Sequence, residues 1–493
     1  MKQYLKINSK DNVVVAVSDL KKDTFIKEFG FALKCDIKRG HKFAIKPIEK
    51  GQDIIKYGMS IGHATSNINE GEWVHIQNLA TNLSDIIEYE YKKVNIKTDL
   101  KLVDNELKFK GYLREDGKAG VRNEIWIVPA VGCINQVCNN VKKMAENQYP
   151  NVTFKVLNHA HGCSQLGDDL STTQSILAGL IKNPNAGGVL VISLGCENNQ
   201  IEEFKKYLYP INEDRIKFVT TQDVNDEYEV CMEKIDDLVQ YISCFSLTEL
   251  PISKLTVAFK CGGSDGLSGL TANPLCGFTS DKLIANGATT ILTEVPEMFG
   301  AENMLINRAK NEVVFKDLVT MINNFKQYFK SYGQSIYENP SPGNKDGGIS
   351  TLEDKSLGCI QKGGLSEIVD VLEMGESVEE SGLNLLNGPG NDQVSCTNLA
   401  ASGATIIVFT TGRGNPFGSV VPTIKVSSNS ELYQKKKNWI DFNAGRIIDE
   451  QITFNYLRDE FINFIIQVAS GKQVNNEIYG FEEIALFKDG VIL

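Results

Sequence analysis

The alternation of apolar and polar positions divides this chain into three rhythms. In residues 1–85 short apolar runs are broken by turns: Val13-Val14-Val15-Ala16-Val17, then Lys42-Phe43-Ala44-Ile45 after Arg39-Gly40-His41, then Trp73-Val74-His75-Ile76 after Asn69-Glu70-Gly71. Apolar residues at helical spacing are scarce there, so the stretch predicts a small all-β domain. Residues 86–110 carry charge without periodicity, as in Glu88-Tyr89-Glu90-Tyr91-Lys92-Lys93 and Asp99-Leu100-Lys101. They read as a linker with room for short strand pieces.

From Gly111 strands alternate with helices. Ile125–Pro129, Val152–Leu157, Gly188–Ser193 and Ile216–Thr220 are apolar runs, and helical patterns follow at 135–144, 169–181, 200–208 and 227–242. Such alternation predicts a parallel sheet covered by helices, here an α/β domain over residues 111–247. Around Ser246–Ile252 the rhythm pauses, then resumes with Leu255–Phe259, Thr289–Thr293 and Ala404–Phe409. Residues 248–493 therefore form a second α/β half, also with a parallel sheet.

Composition narrows the class. Of 493 residues, 42% are hydrophobic and 23% charged, and no apolar stretch approaches the ~20 residues of a membrane span. The start carries no apolar signal segment, so a cytoplasmic location is expected. The net charge is −11 without a dense basic block, which argues against nucleic acid and leaves room for a small anionic substrate. Eleven cysteines without a Cys-x-x-Cys pair point to free thiols in a reducing compartment.

The chemistry concentrates in glycine-flanked turns after the apolar runs. Three hold a cysteine: His161-Gly162-Cys163, Gly195-Cys196-Glu197 and Cys261-Gly262-Gly263-Ser264-Asp265. Buried cysteines are ordinary core residues, but a polar Gly-rich turn is a poor place for core packing. Cys163, Cys196, Glu197 and Cys261 are therefore candidate metal ligands, for a single ion or for an iron–sulfur cluster. His159 and His161 lie two apart, on one side of an extended segment, and with His41 and His75 are candidate ligands or general bases. Arg114, Lys118, Arg122 and Asn123 surround two glycines in a loop suited to gripping a carboxylate. Asn391 and Arg413 stand in Gly-, Asn- and Thr-rich turns that suit a polyhydroxylated ligand. Glu294, Glu297 and Glu302 can serve as base or ligand, although a carboxylate at a helix end is the commoner role.

Taken in order, these segments resemble the altronate/galactarate dehydratase family over essentially the whole chain. The resemblance rests on Gly111-Tyr112-Leu113-Arg114 through Asn123, the three Cys turns, Thr293-Glu294-Val295-Pro296-Glu297, Gly343-Asn344-Lys345-Asp346-Gly347-Gly348 and Gly388-Pro389-Gly390-Asn391-Asp392. It implies an amino-terminal β-clip (SAF) domain, a dimerising middle domain, hence a homodimer, and a Rossmann-like carboxyl-terminal domain. It also implies dehydration of a sugar acid with Fe2+, or Mn2+ in its place. Length and a compact amino-terminal region resemble the altronate-acting members, so D-altronate going to 2-dehydro-3-deoxy-D-gluconate and water is expected. Galactarate dehydration, a related sulfolactate lyase activity and non-catalytic sugar-acid binding are the competing readings. A divalent metal would stabilise the enediolate formed as a base removes the weakly acidic C2 proton.

Overall fold

The computed structural model describes residues 3–83, 88–94 and 107–493. The amino-terminal region is all-β, as its broken apolar runs require. Tyr4–Leu5 (β1), Val13–Ala16 (β2), Lys42–Ala44 (β3) and Trp73–Val74 (β4) make an antiparallel sheet in that order. Within the expected linker, residues 86–87 and 95–106 lie outside the described residues. The described part docks instead of hanging free: Tyr91 donates from its hydroxyl to the Ala309 carbonyl at 2.7 Å. Lys108–Leu113 is a strand, paired antiparallel with Thr248–Pro251 where the rhythm pauses.

The middle sheet contains Glu124–Pro129 (β5), Phe154–Val156 (β6), Ala186–Ser193 (β7) and Ile216–Thr220 (β8), all parallel, in the order β6-β5-β7-β8. Every residue of β5 and β7 is buried, which explains their unbroken apolar runs.

The carboxyl-terminal sheet has seven parallel strands. They are Thr256–Cys261 (β9), Thr289–Leu292 (β10), Ile368–Leu372 (β11), Leu383–Leu386 (β12), Ile406–Thr411 (β13), Thr423–Ser427 (β14) and Phe442–Asn443 (β15). Their order is β11-β12-β10-β9-β13-β14-β15. The chain builds outward from β9 on one side, then returns to build from β13 on the other. The β9/β13 boundary is thus a topological switch point, where open α/β sheets bind ligands beyond their carboxyl ends.

Period-two alternation decides what each face meets. Val257, Phe259, Ile406 and Val408 join one apolar cluster with Ile48, Ile54, Ile61 and Val74 of the β-clip region. Ala258, Ile407 and Phe409 join another with Trp126, Val128, Ile176 and Val189 of the middle region. The carboxyl-terminal sheet is therefore the shared core on which both other regions pack. No helix among the described residues is long and apolar enough to cross a membrane.

Candidate active site

At the carboxyl edge of the seven-stranded sheet, β9 ends in Lys260-Cys261, both buried. A Cβ on the next residue, Gly262, would lie 2.7 Å from both carboxylate oxygens of Asp392, so only glycine lets the turn pass. After β10, Glu294 sits at φ 77°, a left-handed conformation costly for a residue with a side chain and typical of functional sites. It receives the Cys261 N–H at 2.9 Å on Oε2. Lys362 Nζ lies 3.2 Å from that oxygen and Lys260 Nζ 3.2 Å from the other. Glu297, on the turn that follows, pairs with Lys355 at 2.8 Å.

The helix Leu352–Cys359 and the turn after it complete the cluster. Cys261 Sγ is 3.0 Å from Glu297 Oε2, 3.5 Å from Cys359 Sγ and 2.8 Å from Lys362 Nζ. Asp392 opens the helix Asp392–Ala401, pairs with Lys260 and accepts from Asn415 Nδ2 at 2.7 Å. Three carboxylates thus face three ammonium groups inside the protein, where an unmatched charge would cost several kcal/mol.

Proton affinities within this set are pushed apart. Burial, reinforced by Glu297, drives the Glu294 carboxyl upward against the pull of Lys260 and Lys362. Burial also works to raise Glu297, but Lys355 and Lys362 outweigh it and hold that carboxyl well below its ordinary range. Titratable neighbours separated in this way commonly divide the acid and base roles. Two strands away, Lys425 Nζ is buried with no hydrogen-bond partner and stands 3.5 Å from the centroid of the Phe409 ring. Burial lowers its ammonium to about 7.

The β-clip region roofs this edge. Lys42 and Lys56 each reach Asp354 at 2.8 Å, with all three side chains buried. Backbones meet closely: a Cβ on Gly266 or Gly348 would collide with the Gly40 carbonyl oxygen. His41 accepts from Trp73 Nε1 on Nδ1 at 3.2 Å, which leaves the proton on Nε2 for the Asp346 carbonyl at 3.2 Å. His75 Nδ1 lies 2.9 Å from Ser350 Oγ, and burial lowers the ring to about 4. Beside the roof runs a polar groove of about 410 Å³, lined among others by Arg39, Asp265, Asp346, Arg413 and Asn429. Arg39 Nε and Nη2 are buried there without hydrogen bonds. Arg413 is half exposed and bonded to Asp346 at 3.1 Å.

The other Cys turns lie at the carboxyl edge of the middle sheet. Cys163 and Cys196 are exposed. No group of closely spaced ligand atoms joins them to Cys261 among the described residues. Glu197 accepts the Leu194 and Gly195 N–H groups at 3.0 and 2.6 Å, so its carboxylate caps its own turn. His159 Nε2 donates to the Pro129 carbonyl at 2.7 Å while Nδ1 accepts the His161 N–H, and burial lowers its ring to about 4. His161 makes no ring hydrogen bond among the described residues and is half-buried, so of the four histidines its ring is the least engaged.

Most donors of the cationic loop are engaged within the fold. Arg114 donates to the Pro184 and Arg122 carbonyls and to Asn123 Oδ1. Arg122 forms a bidentate pair with Glu477, at 2.6 and 2.9 Å. Asn123 bridges to the Ile242 carbonyl. These residues sit before β5 and β7, at the amino edge of the middle sheet, where Arg114 and Lys118 line one groove with Tyr207 and Arg215. A six-residue strand separates the edges by about 20 Å, so the loop does not share a site with the Cys turns of its own sheet. Asn391 is a helix cap, accepting from Gln393 N and Val394 N at 3.1 Å each.

Sequence reasoning missed Lys260, Lys355, Cys359, Lys362 and Lys425. Lysines embedded in apolar strands were the available signal for Lys260 and Lys425, because a buried Lys needs a reason. Cys359 and Lys362 had none, since only the fold brings their helix over β9.

Cys261, Glu297 and Cys359 offer ligand atoms all within 4.8 Å of one another. Two thiols and a carboxylate combine soft and hard donors, as first-row divalent ions accept. The set fits such an ion in donor type and spacing, provided Lys362 withdraws from Cys261.

Sequence comparison agrees with this architecture. The chain is 49% identical to altronate dehydratase of Bacillus subtilis (strain 168) and 48% identical to altronate dehydratase of Escherichia coli (strain K12), in each case over all of both chains. It is 34% identical to galactarate dehydratase (L-threo-forming) of Escherichia coli (strain K12), over 95% of this chain and 93% of that one. Sequence models match at residues 2–82 for the altronate/galactarate dehydratase SAF domain, 111–243 for the D-galactarate dehydratase/altronate hydrolase second domain, and 252–492 for the D-galactarate/altronate dehydratase carboxyl-terminal domain. With full-length identity at this level and all three domain models matched in order, the chain belongs to the altronate/galactarate dehydratase family.

Proposed function

We propose that this protein is a hydro-lyase that converts D-altronate to 2-dehydro-3-deoxy-D-gluconate and water at the carboxyl edge of its seven-stranded sheet. The observation that carries the location is the charge-matched set of Glu294, Glu297 and the partly exposed Asp392 with the buried Lys260, Lys355 and Lys362 at the topological switch point. Full-length identity to altronate dehydratases carries the substrate.

Arg413 and Arg39, at the groove leading to this edge, bind the substrate carboxylate, since guanidinium donors match its geometry. Asn429 and the neighbouring Thr411-Gly412 backbone face the hydroxyls. Fe2+, or Mn2+ in its place, held by Cys261, Glu297 and Cys359 would supply Lewis-acid stabilisation of the enediolate. Lys425, a buried amine with a free Nζ, takes the C2 proton. Lys260 and Lys362 place positive charge against the developing enediolate. Glu294 Oε1, buried without a hydrogen bond, carries the proton given to the departing C3 hydroxyl. The β-clip roof excludes water, and its opening and closing admit substrate. A cytoplasmic homodimer completes the proposal, and sedimentation tests that assembly.

The test is a panel of altronate, galactarate, glucarate, mannonate and sulfolactate, assayed anaerobically with Fe2+ and a reductant. Altronate is expected to give the highest kcat/KM. Preference for another acid, or binding without turnover, overturns the assignment.

A further inference from the structure

Cysteine is among the most buried residue types, and a free thiol on the surface is unusual. Of the eleven cysteines, four are exposed, and three of these, Cys133, Cys163 and Cys196, share one place. Each follows a glycine in the turn at the carboxyl end of β5, β6 or β7, three adjacent strands of the middle sheet. The turns are bound to one another. Gly132 N donates to the His161 carbonyl at 2.8 Å, Asn199 N to the Gly162 carbonyl at 3.0 Å, and Ser164 N to Asn198 Oδ1 at 2.7 Å. A Cβ on Gly132 would lie 2.7 Å from the His159 carbonyl, and one on Gly162 would strike the Ala130 carbonyl. Glycine is therefore what lets the three cysteine-bearing turns close on one another. Gln222 Nε2, from the turn after β8, donates to Cys196 Sγ at 3.5 Å.

We propose that Cys133, Cys163 and Cys196 together hold a four-iron iron–sulfur cluster, with one iron left without a cysteine. The three thiols together fall outside the reach of a single ion. Two metal–sulfur bonds of about 2.3 Å span at most ~4.6 Å, and these three sulfurs do not all lie within 4.8 Å of one another. A cuboidal cluster holds its cysteines farther apart, and soft thiolates are its usual ligands. The fourth strand, β8, ends in Thr220-Thr221-Gln222 and brings no cysteine. The remaining iron is thus open to a water or hydroxide ligand. Gln222, donating to a sulfur, is the outer-sphere hydrogen bond that tunes such clusters. The site is distinct from Cys261 and Cys359, so it stands or falls independently of the catalytic edge proposed above.

The full-length protein is purified without oxygen and reconstituted with ferrous iron and sulfide, then assayed for iron, acid-labile sulfide and electron paramagnetic resonance. The expected result is about four iron and four sulfide per chain, with a three-iron signal after brief exposure to air. Cys133→Ser, Cys163→Ser and Cys196→Ser each lose most of the sulfide while keeping the wild-type circular dichroism and melting temperature. Cys261→Ser and Cys359→Ser keep it. Iron bound without sulfide, or sulfide content unchanged in the first three variants, overturns the proposal. So does loss confined to Cys261→Ser.

Discussion

The two parallel sheets end alike in sequence and unlike in chemistry. Both place an apolar strand before a glycine–cysteine turn. At the middle sheet the thiols are exposed, the His159 ring is hydrogen-bonded to a backbone carbonyl, and the Glu197 carboxylate caps its own loop. At the carboxyl-terminal sheet the thiols are buried among matched charges. The difference comes from what covers each edge. The β-clip region and the helix Leu352–Cys359 close over β9, and an enclosed edge strengthens every charge interaction inside it. The middle edge is met instead by the carboxyl-terminal segment, with Leu493 N on the Ser164 carbonyl at 3.1 Å and Lys488 paired with Asp169 at 2.9 Å. A strand-turn signature therefore marks where chemistry can sit, and the covering element decides which chemistry.

The sharpest way to break this contrast is Lys425→Met. On the account given, kcat falls about 10²- to 10⁴-fold, the usual worth of a general base. Stability moves the other way. The Lys425 ammonium is held to about 7 in the fold against 10.5 for the free group. Between those values the unfolded chain binds the extra proton, so wild-type stability climbs as pH rises through that window. The Met variant shows a shallower climb and a higher melting temperature at pH 7.

Next in size, Asp354→Ala strands Lys42 and Lys56 as buried unmatched cations, at a cost of about 3–5 kcal/mol. Chemical denaturation measures the loss, and proteolysis within residues 3–83 reports undocking of the roof. Asp354 is held well below the ordinary carboxylate range, because burial is outweighed by the two lysines. Its contribution is accordingly complete above about pH 4 and lost as pH falls below that.

Arg413→Ala removes the half-exposed guanidinium proposed to hold the substrate carboxylate. A rise in KM of about 10- to 100-fold with little change in melting temperature is expected, and Arg413→Lys recovers part of it. Smallest is the thiol contrast itself. Cys133, Cys163 and Cys196 in the metal-free protein react promptly with a thiol reagent, whereas Cys261 and Cys359 react only on unfolding. Single Ser substitutions at the exposed three shift stability by no more than about 0.5 kcal/mol.

Much of this was legible in sequence. Unbroken apolar runs such as Gly188–Ser193 located buried parallel strands, and the broken runs of residues 3–83 marked the β domain. Strands β11, β12, β14 and β15 escaped notice. Asp370 interrupts the apolar run of β11, and β14 reads Thr423-Ile424-Lys425-Val426-Ser427, with Ile424 and Val426 its apolar residues. Cys163, Cys196 and Cys261 read as one set because sequence records the local turn and not its cover. The partners of the cationic loop at Arg114 were hidden for a related reason. Its donors serve backbone carbonyls at the strand starts, which no local pattern reveals.

The claim that chemistry occurs at the covered edge is tested most directly by Glu294→Gln, an isosteric change that keeps the acceptor for Cys261 N–H and removes the transferable proton. Anaerobic turnover of D-altronate is measured with Fe2+ and a reductant. The account predicts that kcat falls at least about 100-fold with KM near the wild-type value. An unchanged kcat would contradict it.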